Sequence, residues 1–194
     1  SSGTTGTHYQ WKNVVVGGGG FVTGIAYHPS VAGLSYVRTD MGGAYRWNSA
    51  DSAWDPITDS LGRSEADYYG VLGLALDPSD SQRVYLMTGK YTQSWAGNGL
   101  LLASTDRGAT WSHKYSLPFK VGGNEDGRGT GERLQVDPNL STRLLAGSTT
   151  SGLWLSANSG ETFTQVSSLS ATNITFVLFD KSSSSAGSAT QRIF

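Results

Sequence analysis

Short apolar runs recur along the chain, each bounded by glycine, proline, serine or aspartate. The runs are rich in valine, isoleucine, leucine, tyrosine and tryptophan and lack helical periodicity, which predicts strands. They fall into groups of four, and the first run of each group ends at an anchor residue: His28, Asp77, Asp137 and, in a group that breaks off, Asp180. Four strands repeated every 43 to 60 residues are typical of propeller blades. We therefore predict an all-β fold, a β-propeller with four-stranded antiparallel blades.

The repeat also predicts the domain organisation. We expect a flexible N-terminal segment at residues 1–7 and a partial N-terminal β-propeller domain at residues 8–194. The predicted blades lie near residues 24–57, 71–115 and 131–166, with the start of another at 174–194. Three blades and part of a fourth are too few to close a ring, which takes at least about four blades. We therefore expect the remainder of the same polypeptide, or a complementing chain, to complete the propeller.

A turn between the third and fourth runs recurs in two of the groups. Residues Ser104 to Trp111 read S-x-D-x-G-x-T-W and resemble the Asp-box turn of several propellers, and Ser156 to Phe163 are a weaker copy. In such a turn the Asp or Asn side chain bonds the backbone, glycine allows positive φ and the aromatic ring packs between sheets. We therefore interpret Asp106 as a structural residue and not as a catalytic or metal-binding one.

The composition excludes several kinds of chemistry. The net charge is −1 and the basic residues are scattered, so we expect no nucleic acid partner. Without cysteine there is no disulfide, thiolate metal site or thiol nucleophile, and the three histidines lack metal-ligand spacing. We predict no metal, no cofactor and, since no long apolar run is present, no membrane partner. A composition rich in serine, threonine, glycine and aromatic residues is common in secreted carbohydrate-active proteins, so we expect a secreted, extracellular protein.

One position of the repeat changes its chemistry between copies. Twelve residues after the anchor, the second and third copies have Gly89 and Thr149, but the first copy has Asp40. A position that accepts glycine or threonine does not need a carboxylate in order to fold. Asp40 is therefore our candidate catalytic residue. The alternative is that it only forms a turn with the following glycines.

The irregular loops all fall on one face of the predicted blades, where strand 2–3 loops and blade-to-blade crossings meet. Asp40 lies on this face, at the end of a second strand. The candidate substrate-binding residues there are Tyr69, Tyr91, Trp95, Asn124 and Arg128. Aromatic rings stack on the C–H faces of sugars and polar groups pair with hydroxyls, so a long-looped face of this composition suits a polysaccharide. Alternatively, each aromatic residue packs under its own loop and Arg128 only braces the glycine-rich crossing.

Four stretches resemble glycoside hydrolase family 74, the xyloglucanases. These are Val37–Trp47, with R-T-D-M-G-G-A-Y-R; the glycine run of Trp11–Phe21; Gly89–Trp95; and Pro118–Pro138. The resemblance covers nearly the whole chain from His8. It implies tandem seven-bladed propellers whose facing loop surfaces form a cleft. In that cleft two aspartates hydrolyse β-1,4-glucan backbone bonds of xyloglucan or its oligosaccharides with inversion, by endo or chain-end action.

Within this resemblance Asp40 matches the aspartate whose family role is the general base. The general acid would come from the second propeller, so we expect this chain by itself to be inactive. We also expect Asp40 to lie in a solvated loop, with Arg38, two residues earlier on the same side of the strand, keeping it ionised.

The residues also bear on two other classes of function. A sialidase-like enzyme is disfavoured because Arg192-Ile193-Phe194 lacks the proline of the usual Arg-Ile-Pro signal and stands at the wrong end. A non-catalytic Asp-box propeller that binds polysaccharide or protein stays open.

Overall fold

The computed structural model describes residues 16–194; the segment predicted to be flexible, residues 1–7, and the first residues of the predicted domain lie outside this range. Twelve strands form three sheets in the described part. The first sheet comprises β1 (Val22–Tyr27), β2 (Ser35–Thr39), β3 (Ala44–Asn48) and β4 (Ala53–Pro56). The second comprises β5 (Val71–Asp77), β6 (Asp80–Thr88), β7 (Leu100–Ser104) and β8 (His113–Ser116). The third comprises β9 (Leu134–Val136), β10 (Leu144–Gly147), β11 (Leu153–Ser156) and β12 (Thr164–Gln165).

Each sheet is a simple meander. Its four strands pair with their chain neighbours, and every pairing is antiparallel. The prediction of an all-β propeller with four-stranded antiparallel blades is confirmed. After the third sheet, an isolated antiparallel bridge joins Phe179 to Ile193. Two short 3₁₀ helices, Arg63–Tyr69 and Lys181–Ser183, lie in the connections, and neither is long enough to give a helical apolar period.

The middle sheet shows why the apolar runs are nearly continuous. Along β6, Val84 and Leu86 pack toward the first sheet, while Tyr85 and Met87 pack toward the third. Successive strand residues point to opposite faces, so the part of a strand that lies between two neighbouring blades is apolar at consecutive positions. All four side chains are buried. Truncating one, as in Leu86→Ala, would cost about 2–5 kcal/mol of folding free energy.

The recurring turn holds its blade in place through local hydrogen bonds. The Asp106 carboxylate accepts bonds from the Ser104 hydroxyl and from both the amide and the hydroxyl of Thr110. The hydrogen bonds from Thr110 and Ser104 lower the pKa of Asp106. Trp111 then reaches across to the first sheet, where its indole N–H donates to the Ile57 carbonyl at 2.6 Å. This geometry is what a structural role for Asp106 requires.

Between Val16 and Phe194, no helix is long and apolar enough to cross a membrane.

Candidate active site around Asp40

Asp40 directly follows β2, in a tight turn that ends at Gly43. The Thr39 hydroxyl closes this turn, because it donates to the Gly43 carbonyl and accepts from the Gly42 amide, both at 2.8 Å. The Asp40 amide donates to the Phe21 carbonyl, and the Phe21 amide donates back to Asp40 Oδ1 at 2.7 Å. Asp40 is thus fixed both through its backbone and through one carboxylate oxygen.

The glycine run before β1 passes directly against this turn. A Cβ atom on Gly42 would lie 1.7 Å from the Gly19 carbonyl oxygen, and one on Gly20 would lie 3.0 Å from Asp40 Oδ1. Gly20 also has a φ of 100°, which side chains rarely adopt. The glycines let two backbone segments approach closely enough for the Phe21 amide to reach the carboxylate.

The expectation that Arg38 is the cation beside Asp40 is wrong, because Arg38 pairs with a different carboxylate. The Arg38 Nε atom lies 3.0 Å from Glu132 Oε2. The guanidinium beside Asp40 is that of Arg128, whose Nε atom lies 3.2 Å from Asp40 Oδ2. The Nε–H bond of Arg128 does not point at the carboxylate, so the contact is an ion pair and not an aligned hydrogen bond. The structure therefore brings Arg128 to Asp40.

The expectation of a solvated loop is also wrong, because Asp40 is only 5% exposed. Two large apolar side chains stand out to solvent beside it: Phe21, 62% exposed, and Met41, 50% exposed. The Arg128 guanidinium lies over the Phe21 ring, 5.8 Å from its centroid. Sequence reasoning missed Phe21 and Met41 as site residues. Their signal was position alone, next to the glycine run and next to Asp40.

Tyr69 does not present its side chain as a sugar ligand. It is half-buried, packs against the core between the first two sheets, and its hydroxyl donates to the Leu61 carbonyl at 2.9 Å. Its backbone carbonyl accepts a hydrogen bond from the Gly43 amide at 2.8 Å, so Tyr69 helps to hold the turn that carries Asp40. For this residue the structure matches the alternative of packing under its own loop.

Tyr91, Trp95 and Asn124 come together on the loop face, and we call them the aromatic platform. The side-chain amide of Asn124 donates to the Tyr91 hydroxyl at 2.8 Å. The ring centroids of Tyr91 and Trp95 lie 5.2 Å apart, with an angle of 56° between the ring planes. Trp95 is 68% exposed, which leaves its ring free to stack on a ligand. The loop that carries it is held from the crossing, since the Lys120 ammonium donates to the Gln93 carbonyl at 2.6 Å.

Glu125 holds the same loop from the other side. Its carboxylate accepts bonds from the amide and hydroxyl of Thr92 and from the side chain of Gln93. Burial of Glu125 disfavours its charged form, but the bonds from Thr92 and Gln93 outweigh burial and lower the pKa of the Glu125 carboxyl. The ionised carboxylate therefore orders the loop that carries Trp95.

A polar groove of about 500 Å³ continues from the platform toward the third sheet. It is lined by hydroxyl, amide and carboxyl groups of Thr92, Gln93, Asn124, Glu125, Asp126, Thr149, Thr150 and Asn173. Such a lining offers many partners for sugar hydroxyls. Within the described range 16–194, no group of three or more His, Asp or Glu residues could hold a metal ion.

One connection joins the two parts of the site. We call residues 118–131, between the second and third sheets, the crossing segment. It carries Asn124, which bonds the aromatic platform, and Arg128, which pairs with Asp40. A single stretch of backbone therefore contacts both Asp40 and the aromatic platform.

Comparisons with known proteins point to one family. The chain is 46% identical over 208 residues to a xyloglucanase of Hypocrea jecorina, covering 96% of this chain and 25% of that protein. It is 41% identical over 177 residues to an oligoxyloglucan-reducing end-specific xyloglucanase of Emericella nidulans, covering 89% of this chain and 22% of that protein. A crystal structure of the GH74 xyloglucanase from Xanthomonas campestris matches with a TM-score of 0.86 at 42% identity, covering 96% of this chain and 29% of that one. No family model matches the chain.

The fold and the loop face define a β-propeller protein with four-stranded blades and one face that presents a carboxylate beside aromatic residues. Within that class, the resemblance to glycoside hydrolase family 74 that the motifs predicted is confirmed, because xyloglucanases and GH74 crystal structures match nearly the whole chain. The chain spans about a quarter of the length of the relatives it matches.

Proposed function

We propose that the chain forms part of an enzyme that hydrolyses β-1,4-glucan backbone bonds in xyloglucan or its oligosaccharides. Asp40 acts as the general base of an inverting mechanism, and the general acid comes from a second propeller. The observation that carries this proposal is the placement of Asp40, a carboxylate that the repeat does not need, on the loop face of a chain that resembles family 74.

The hydrogen bonds of Asp40 leave it able to accept a proton. An ionised carboxylate has about four lone-pair positions. The Phe21 amide occupies one position on Oδ1, and Arg128 contacts Oδ2 without an aligned hydrogen bond. A water molecule can therefore donate to Oδ2 while the nearby guanidinium stabilises the negative charge. An inverting pair also needs an acid roughly 6.5–9.5 Å away, with the water between the two carboxyl groups.

The substrate follows from the rest of the loop face. The exposed Trp95 ring offers a stacking surface, and the groove toward the third sheet offers hydroxyl and amide partners. Phe21 and Met41 supply further apolar surface next to Asp40. A long, open and polar site of this kind suits a polymer, and polymer digestion supports secretion as the setting.

The test compares Asp40→Asn with wild type in the full-length protein, with xyloglucan as substrate. Loss of a general base lowers kcat by about 10²–10⁴-fold. Proton NMR of the first product released by the wild-type enzyme should show inverted anomeric configuration. Asp51→Asn, at an exposed carboxylate on the opposite face, is the matched control and should retain full activity. Equal kcat in Asp40→Asn and wild type would rule out the role of Asp40.

A second candidate is a non-catalytic propeller that binds polysaccharide. It is favoured by one observation, the near-complete burial of Asp40 between the Phe21 amide and Arg128, as in a structural ion pair. Xyloglucan binding by the full-length protein without any release of reducing ends would support it over hydrolysis.

A further inference from the structure

Residues 127–131 form the glycine-rich end of the crossing segment, and we call them the 127–131 loop. Three of its five residues are glycine, which leaves the backbone few intrinsic restraints. Within the loop, two hydrogen bonds run to the Gly127 carbonyl, one from the Thr130 amide and one from the Thr130 hydroxyl. The loop nevertheless has to present Arg128 to Asp40 at 3.2 Å.

Arg38, on β2 of the first sheet, holds this loop through hydrogen bonds. Its two terminal nitrogens donate to the carbonyls of Arg128 and Gly131, both at 3.1 Å. The same guanidinium bonds the Thr23 hydroxyl at 2.7 Å and pairs with Glu132 at 3.0 Å. Arg38 is 1% exposed and uses its planar fork on four partners, which a lysine ammonium cannot reproduce.

Arg133, which directly precedes β9 of the third sheet, holds the same loop through hydrogen bonds. One terminal nitrogen donates to the Gly127 carbonyl and to the Thr130 hydroxyl, both at 3.0 Å. Its Nε atom donates to the Ile174 carbonyl at 2.6 Å, which anchors the side chain beyond the third sheet. Arg133 is also 1% exposed. Between them, the two arginines bond four of the five residues of the loop.

We propose that Arg38 and Arg133 are positioning residues for Asp40, acting through the 127–131 loop and Arg128. Neither side chain has to touch the substrate. They fix the loop so that the Arg128 guanidinium stays against the Asp40 carboxylate and over the Phe21 ring. This inference rests on the proposed function, because it assigns the two arginines to the reaction of Asp40.

The first experiment uses Arg38→Lys and Arg133→Lys in the full-length protein, assayed on xyloglucan. We expect kcat to fall about tenfold or more with little change in KM, since small displacements of a catalytic group are costly. Arg143→Lys is the matched control. Arg143 also forms an ion pair, 2.9 Å from the buried Asp137, but it lies at the other end of the third sheet. The control should lose thermal stability and keep its kcat.

The second experiment asks whether the effect passes through Arg128. Residues that act through one shared contact give non-additive losses. Arg38→Lys should therefore cost much less in an Arg128→Gln background than in wild type. Full additivity, or a folded Arg38→Lys protein with wild-type kcat, would overturn the proposal. If Arg38→Lys fails to fold, Thr130→Val, at an exposed residue, decides: it should lower kcat about threefold with an unchanged Tm.

Hydrogen exchange separates this proposal from the proposed function. Amides of residues 127–131 should exchange faster in Arg38→Lys and Arg133→Lys than in Arg143→Lys, whatever the activity. Unchanged exchange rates in both variants would show that the two arginines do not hold the 127–131 loop, and would overturn the proposal. Faster exchange in a full-length protein that hydrolyses no xyloglucan would instead count against the proposed function.

Discussion

Gly24 lies directly opposite Arg38 in the antiparallel pairing of β1 and β2, and the Arg38 side chain runs over the place where Gly24 has no side chain. A Cβ atom on Gly24 would lie 2.7 Å from Arg38 Nε. The missing methyl group is what lets Arg38 cross β1 and reach Glu132 and the 127–131 loop.

Gly24→Ala should therefore destabilise the protein and disturb the loop. Because Arg38 is held by four partners it cannot move aside freely, so we expect a loss of about 1–3 kcal/mol in unfolding free energy. Denaturant unfolding measures this loss. Gly97→Ala is the control, since a Cβ there meets nothing within 4 Å, and it should be neutral. Equal stability of the two variants would contradict the close packing of Arg38.

Asp106→Asn should be tolerated where Asp106→Ala is not. In the next blade Asn158 holds the same turn: it accepts from the Ser156 hydroxyl and the Thr162 amide and donates to the Thr162 hydroxyl. We expect Asp106→Asn to change unfolding free energy by less than about 0.5 kcal/mol and Asp106→Ala to cost about 1 kcal/mol. Thermal unfolding decides, and a large loss in Asp106→Asn would mean that the charge itself matters.

Trp95→Ala should weaken binding without weakening the fold. The ring is mostly solvent-exposed, so its removal leaves the Tm nearly unchanged. An exposed aromatic anchor in a binding site commonly contributes more than about 1 kcal/mol, so we expect the Kd for xyloglucan oligosaccharides to rise at least about fivefold. Isothermal titration calorimetry measures this directly, and an unchanged Kd would remove Trp95 from the site.

Tyr69→Phe should show the opposite pattern. It removes the hydroxyl that donates to the Leu61 carbonyl, which we expect to cost about 1 kcal/mol of stability. Oligosaccharide affinity should stay at the wild-type value, because the ring packs inside the loop. A rise in Kd with unchanged stability would restore Tyr69 as a ligand.

Acidification should loosen the loop that carries Trp95. The pKa of Glu125 is lowered from its ordinary 4.5 in the folded protein, so its stabilising effect is fully present above 4.5. The effect is lost as the pH falls through the lowered pKa. The protection factors of the amides of residues 90–98, which correct for the slower intrinsic exchange in acid, should fall over this range in wild type. Glu125→Gln should show lower protection factors at neutral pH and little further change with acid.

The sequence predicted the blades well because their physical signature is local. Strands buried on both faces read as short apolar runs, and repeated anchors set their spacing, so the sheets could be predicted without knowing any contact. Comparison of the copies likewise singled out Asp40, since the fold accepts other residues at that position.

The surroundings of Asp40 could not be predicted in the same way. Arg38 is near Asp40 in sequence, but Gly24 gives its side chain a path to Glu132. Arg128 reaches the carboxylate from a different blade crossing, and such a contact leaves no local pattern. Burial of Asp40 also depends on three segments meeting, which periodicity does not show. Tyr69 and Tyr91 look alike in sequence, and only packing separates them.

The crossing segment that touches both Asp40 and the aromatic platform has a consequence for protein engineering. Exchanging this segment with that of a relative would change two things together, the contacts of the aromatic platform and the surroundings of Asp40, the proposed base. Libraries that vary the crossing segment should therefore yield variants in which both substrate affinity and kcat change. Changes confined to residues 93–97 should alter substrate affinity and leave kcat unchanged.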